Sequence, residues 1–137
     1  MSWADEQWAE WGAPLGWYKS GVSANGSANI LSMDVQLKND VGAIVEGTVD
    51  VLEPHDWGTW RVDIVLPGYI ERWEAQPGSR TVKATYLLDD HAGDAGAVGF
   101  RKQLDSVKDL AEFAVEYLHH IDLVTAYSSF RKVMRRF

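Results

Sequence analysis

Cysteine is absent from these 137 residues, which excludes a disulfide framework, a thiolate nucleophile and any cysteine-based zinc site. No apolar run approaches the roughly 20 residues that a membrane span requires. The N-terminus, Met1-Ser2-Trp3-Ala4-Asp5-Glu6, is acidic where a secretory signal is basic and then apolar. The expectation is a cytoplasmic protein with no membrane contact. Carboxylates are missing from residues 123–137, which hold four cations (Arg131, Lys132, Arg135, Arg136). Residues 1–122 hold all 20 carboxylates and nine of the 13 Lys and Arg, a net charge of −11. Such a body repels phosphate backbones and favours basic partners.

The motifs of several chemistries are also missing. No glycine-rich phosphate loop of either standard pattern is present. Ser20-Gly21 and Gly26-Ser27 lack the strand–turn–helix context of a nucleophile elbow. His55-Asp56 could orient a proton shuttle, but adjacency in sequence carries little weight. His119 and His120 point about 100° apart on a helix and do not readily ligate one ion. Asp89, Asp90, His91 and Asp94 form a cluster of hard-metal ligands without the alternation and terminal Glu of a calcium loop. An ordinary solvated loop is the preferred reading, and the expectation is no metal, no cofactor and no catalytic residue.

What is present is an ordinary globular composition, 46% hydrophobic and 24% charged, in a length that suits one domain over 1–137. At that size roughly two-thirds of the chain's surface is buried on folding. Residues 2–11 predict a short helix, with Ser2 as N-cap and Asp5, Glu6 and Glu10 at the end that the helix dipole favours. Gly12 and Pro14 are expected to stop it. Residues 20–29 read as a polar linker.

The period then becomes two. Leu31, Met33, Val35 and Leu37 alternate with Ser32, Asp34 and Gln36; Val45, Val49 and Val51 alternate with Glu46, Thr48 and Asp50. Trp60, Val62, Ile64 and Leu66 alternate with Arg61 and Asp63, and Val82, Ala84, Tyr86 and Leu88 alternate with Thr81, Lys83 and Thr85. With a weaker segment, Tyr69 to Ala75, these predict an antiparallel meander of about five strands, one face buried and one wet. Residues 89–99 read as a loop rich in Gly and Asp.

A helix is predicted after that loop, because Val107, Leu110, Ala111, Ala114, Tyr117, Leu118 and Ile121 recur at helical spacing. Ser106 caps it, with Asp109 at the third position of a capping box. A change of phase near His119-His120-Ile121-Asp122 predicts a break before a final helix, whose last turns place the four cations at the negative end of its dipole. The fold class is therefore α+β in two layers: a β-meander covered on one face by a long C-terminal helix, with a short N-terminal helix. The helix–strands–helix order superficially resembles double-stranded-RNA-binding domains. The strand number and the acidic body depart from that pattern, and nothing is carried over from it.

Single-strand nucleic-acid binders need a basic groove with exposed aromatic platforms. Here Trp60 and Tyr86 fall on the buried phase, and the exposed faces carry Asp34, Glu46, Asp50 and Asp63 against Arg61, Arg72 and Lys83, which counts against direct nucleic-acid binding. The expected function is non-enzymatic protein binding, as in an inhibitor, an immunity-type protein or a phage accessory protein, toward a partner with a basic surface. The contact candidates are the carboxylates Asp34, Glu46, Asp50 and Asp63 on one solvated face, and Trp3, Trp8 and Trp11 as anchors. For the tryptophans, closing the end of a small core is the preferred reading. Two alternatives stand beside this: a small-ligand pocket or enzyme site between sheet and helix, and a structural subunit of a homo-oligomer.

Overall fold

The computed structural model describes residues 2–22, 28–38, 42–54, 58–88 and 91–120. Its centre is an antiparallel sheet of seven strands in sequence order. These are β1 (Tyr18–Val22), β2 (Ala28–Lys38), β3 (Ile44–Leu52), β4 (Trp60–Leu66), β5 (Tyr69–Ala75), β6 (Thr81–Leu88) and β7 (His91–Gly99). The five strands expected from period-two alternation are β2 to β6. Two more strands correct that expectation. β1 and the first residues of β2 take up much of the stretch read as a linker: Ser20 pairs with Ile30, and Val22 with Ala28. β7 replaces most of the loop read over 89–99, pairing with β6 from Leu88–His91 to Thr81–Gly99.

The N-terminal segment also differs from the single helix expected. α1 (Trp3–Gln7) runs on as a π-helical turn, Trp8–Gly12, and then a 3-10 turn, Ala13–Leu15. Gly12 and Pro14 therefore do not end the helical path. Pro14 sits in the first turn of a helix, where its missing N–H costs nothing, and the stop falls at Gly16, which is left-handed at φ 88°. Ser2 caps α1 as expected, its hydroxyl accepting from Asp5 N at 3.2 Å while Asp5 accepts from Ser2 N at 3.3 Å.

α2 (Val107–His120) is the C-terminal helix of the described residues. Ser106 and Asp109 exchange the two bonds of the expected capping box, at 3.4 and 3.2 Å. His119 and His120 end α2, whereas Ile121, Asp122, the break and the final helix expected there lie outside the described residues, as do His55, Asp56, Asp89 and Asp90. No helix among the described residues is long and apolar enough to cross a membrane.

Strand register decides what α2 meets. Leu31, Val51, Val62, Trp73 and Ala84 stand side by side across β2 to β6. With Val49, Ile64 and Val82 they form one core with Leu110, Ala111, Ala114 and Leu118 of α2. This is the inner face of the sheet, and Trp11 and Trp17 complete the same core from the N-terminal side. Trp73 is fully buried, its ring edge-on to Tyr117 of α2 at 5.1 Å. Because Leu110 is fully buried, Leu110→Ala should lower unfolding stability by about 2–5 kcal/mol through lost transfer energy and the cavity left behind. Chemical denaturation measures this; an unchanged midpoint would mean that α2 does not cover the sheet.

Candidate functional site

The outer face, opposite α2, carries a polar row that crosses the whole sheet. Tyr18, Ser32, Asp50, Asp63, Arg72, Thr85 and Asp94 are successive register partners from β1 to β7. Period-two geometry places them together, because each is in phase with its neighbour across an antiparallel pair.

Two members of this row correct the expectation of a solvated acidic face. Asp50 is 3% exposed and Asp63 1% exposed, so neither belongs to a wet surface. Burying a carboxylate demands compensation, and each has found it. Arg72 grips Asp63 with two parallel bonds, Nε to Oδ1 at 2.7 Å and Nη2 to Oδ2 at 2.8 Å. Asp50 accepts from the Ser32 hydroxyl at 2.8 Å. Burial raises the Asp50 pKa, and the facing Asp63 pushes it the same way, while Ser32 and Thr48 pull against them. The sequence places Arg72 on an exposed face without naming it as a partner of Asp63; its position opposite Asp63 becomes visible only once the β4–β5 register is known.

The other two carboxylates do lie on the surface. Asp34 is exposed on β2 and accepts from the Tyr18 hydroxyl at 2.8 Å. Burial, and then Asp34, push the Tyr18 pKa up to about 12. Glu46 on β3 is exposed opposite Gln36, whose amide donates to it at 3.4 Å. Asp34 and Glu46 thus form an acidic corner on β2 and β3, separate from the buried pair.

The tryptophans divide differently. Trp11 is buried, its indole nitrogen donating to Gln7 at 2.9 Å and its ring edge-on to Trp17 at 5.6 Å. Trp8 is half-buried and donates to the Trp17 carbonyl at 3.0 Å, while Lys19 lies 4.9 Å above its ring. Trp3 is also half-buried and packs against the core. Lys19 further binds Asp5 at 2.9 Å, and this bond with the Ser2 bonds holds the Asp5 carboxyl down to about 2. The N-terminal segment is therefore fastened to the sheet by both charge and rings.

A third buried carboxylate, Glu71, lies on the inner face of β5. It accepts from the Tyr69 hydroxyl at 2.7 Å and from the Trp73 indole nitrogen at 2.8 Å. Burial, followed by the Glu71 charge, raises the pKa of both Tyr69 and Tyr117. Each tyrosine stays a neutral hydroxyl across the physiological range.

Of the residues weighed as metal ligands, Asp94 and His91 are exposed on β7, and Asp94 accepts from Gly96 N at 2.7 Å. Among the described residues no group of three or more His, Asp or Glu side chains is placed to hold a metal ion.

Asp50 generates a pH prediction. A carboxyl whose folded pKa is raised favours the folded state when protonated, and that contribution is lost as pH rises through the folded value. Asp50→Asn keeps an acceptor for Ser32 without the charge. It should melt at or above the parent at pH 7, with the gap closing as pH falls toward 4 in thermal melts. A gap that widens in acid would refute the assignment. Trp11→Ala, in turn, should cost about 3–5 kcal/mol as a core truncation. A surface anchor would lose almost nothing in the same denaturation experiment. No protein-family model matches this chain, and neither a curated protein nor a solved structure matches it.

Proposed function

We propose that this chain is a non-enzymatic protein-binding domain that masks or regulates a partner with a basic surface. The observation that carries the reading is the acidic corner of the outer face. Asp34 and Glu46 are exposed there, steadied by Tyr18 and Gln36, on a stretch of chain (residues 1–122) whose net charge is −11. Carboxylates held at a fixed spacing on a negative body attract and orient a cationic surface, raising the association rate more than the intrinsic affinity.

The buried acids support binding over catalysis. A general acid or base needs a carboxyl able to reach a reacting atom. Asp63 is gripped by Arg72, Glu71 is held between Tyr69 and Trp73, and Asp50 is bonded to Ser32. These groups bind their own fold.

Replacing Asp34 and Glu46 together with Lys should leave the melting temperature close to that of the parent, since exposed changes usually shift stability by under about 0.5 kcal/mol. A basic partner isolated on the parent chain should then lose affinity for the double variant, chiefly in association rate, and its binding to the parent should weaken steeply with salt. Surface plasmon resonance at two ionic strengths measures both. A partner that binds parent and variant alike at low salt would overturn the reading.

A further inference from the structure

Among the described residues β7 is the last strand and forms one edge of the sheet. An edge presents unpaired N–H and C=O groups, and proteins usually obstruct it with Lys, Pro or a strong twist. β1, at the opposite edge, carries Lys19. β7 reads His-Ala-Gly-Asp-Ala-Gly-Ala-Val-Gly and holds neither Lys, Arg nor Pro. Its one irregularity is a bulge: Ala84 pairs with Gly96 and Thr85 with Asp94, leaving Ala95 over, with Gly96 at φ 98°. Small side chains on both faces leave the backbone accessible.

Each face of this edge adjoins a groove. On the outer face a groove of about 480 Å³ is lined by Ile70, Arg72, Leu87 and Ala92, and Leu87 is 42% exposed. On the inner face the Tyr86 hydroxyl lies so close to Gly93, its partner on β7, that a side chain at that position would force it aside. On the inner side, past Val98, a second groove of about 500 Å³ is floored by Phe100 and Phe113. Those rings stack at 4.4 Å and 14°. Its rim carries Arg101, Lys102 and Glu116, and Lys102 lies 5.8 Å above the Phe113 ring. Arg80 and Lys83 are also exposed near that end of the strand. The C-terminal end of β7 is therefore locally cationic within a stretch, residues 1–122, of net charge −11, with Glu116 and the half-buried Glu74 of β5 as carboxylates nearby.

We propose that β7 receives an extended segment of a partner protein as an additional antiparallel strand. That segment carries apolar side chains at alternate positions and acidic residues at its N-terminal end. Strand addition draws affinity from main-chain bonds and selectivity from pockets that take alternate side chains. An added strand sends successive side chains to opposite faces, one set to the Ile70–Leu87 groove and the other to the Phe100–Phe113 groove. Antiparallel pairing, the mode of every neighbour in this sheet, sets the segment's N-terminus beside Arg101 and Lys102. A second copy fits less well. Two-fold pairing about Ala95 would set the two Asp94 carboxylates diagonally adjacent, and each copy carries a net −7. The inference does not depend on the acidic corner.

Two synthetic peptides test it against the full chain: Glu-Glu-Val-Thr-Val-Thr-Val-Thr-Val and the same sequence beginning Lys-Lys. In amide chemical-shift titration, the Glu peptide should perturb residues 91–102 and bind about tenfold tighter than the Lys peptide, the difference shrinking with salt. Replacing the exposed Arg101 and Lys102 with Glu should invert the order of the two peptides while leaving the melting temperature unchanged. Equal binding of both peptides, binding of neither, or shifts centred on β1 would overturn the proposal. So would a concentration-dependent dimer in sedimentation whose β7 amides resist exchange, since that result gives the edge to a second copy.

Discussion

The pairing of β3 with β4 is the constraint on which both faces depend. It sets Val49 against Ile64 and Val51 against Val62, and between them Asp50 against Asp63. The valines and Ile64 then face α2, and the two carboxylates face the other way. A slip of one residue would turn one of the two strands over, sending its acid into the α2 interface and its apolar side chains outward. The register is therefore held by a large difference in transfer energy, counting two apolar side chains and one carboxylate. Once it is set, the short links from β4 to β5 and from β5 to β6 carry the same phase along the sheet. Arg72 arrives opposite Asp63, and Trp73 arrives beneath α2.

The buried polar row is an unusual use of a sheet's second face. Like charges on facing residues are unfavourable, and Asp63 does push the Asp50 pKa up; the residues that flank the two offset that repulsion. Arg72 neutralises Asp63 through a planar two-point grip that lysine could not reproduce. Ser32 supplies a donor to Asp50 from the strand on its other side. Removing Arg72 alone would leave Asp63 buried without its cation, which costs far more than replacing the whole pair by apolar residues. Such a row specifies pairing partners more than it adds stability. Neighbouring strands in any other order would lose the donor on one side or the cation on the other.

Much of this was legible in the sequence. The phases of β2 to β6, the face of α2, the N-cap at Ser2 and the capping box at Ser106 all follow from local patterns, since each is decided by residues within a few positions of one another. β7 was not legible. Its Gly, Ala and Asp residues have low strand propensity, and pairing with β6 holds it, a tertiary effect that outweighs propensity. β1 was hidden in the same way by Ser20 and Gly21. The acidic face was half legible. Alternation places Asp34, Glu46, Asp50 and Asp63 on the phase opposite the core, but it does not say which part of that face meets water. The outer row of Asp50 and Asp63 proved buried, whereas Asp34 and Glu46 are exposed. The sequence signal that could have separated them is Arg72, a cation on the polar phase of a strand otherwise bearing Glu71 and Glu74.

The acidic corner and the β7 edge carry opposite local charge, and the sheet keeps them apart. Antiparallel neighbours are spaced about 4.8 Å, so four strand steps from β3 to β7 separate them by about 20 Å. That exceeds the screening length of about 8 Å at physiological salt. A cationic surface at Asp34 and Glu46 therefore leaves the potential at Arg101 and Lys102 nearly unchanged. Between the two lie Asp63 and Arg72, whose opposite charges offset one another in one bidentate pair. On the two proposals made above, the seven-stranded sheet would let a basic partner and an added strand be bound together, because their surfaces lie further apart than the screening length.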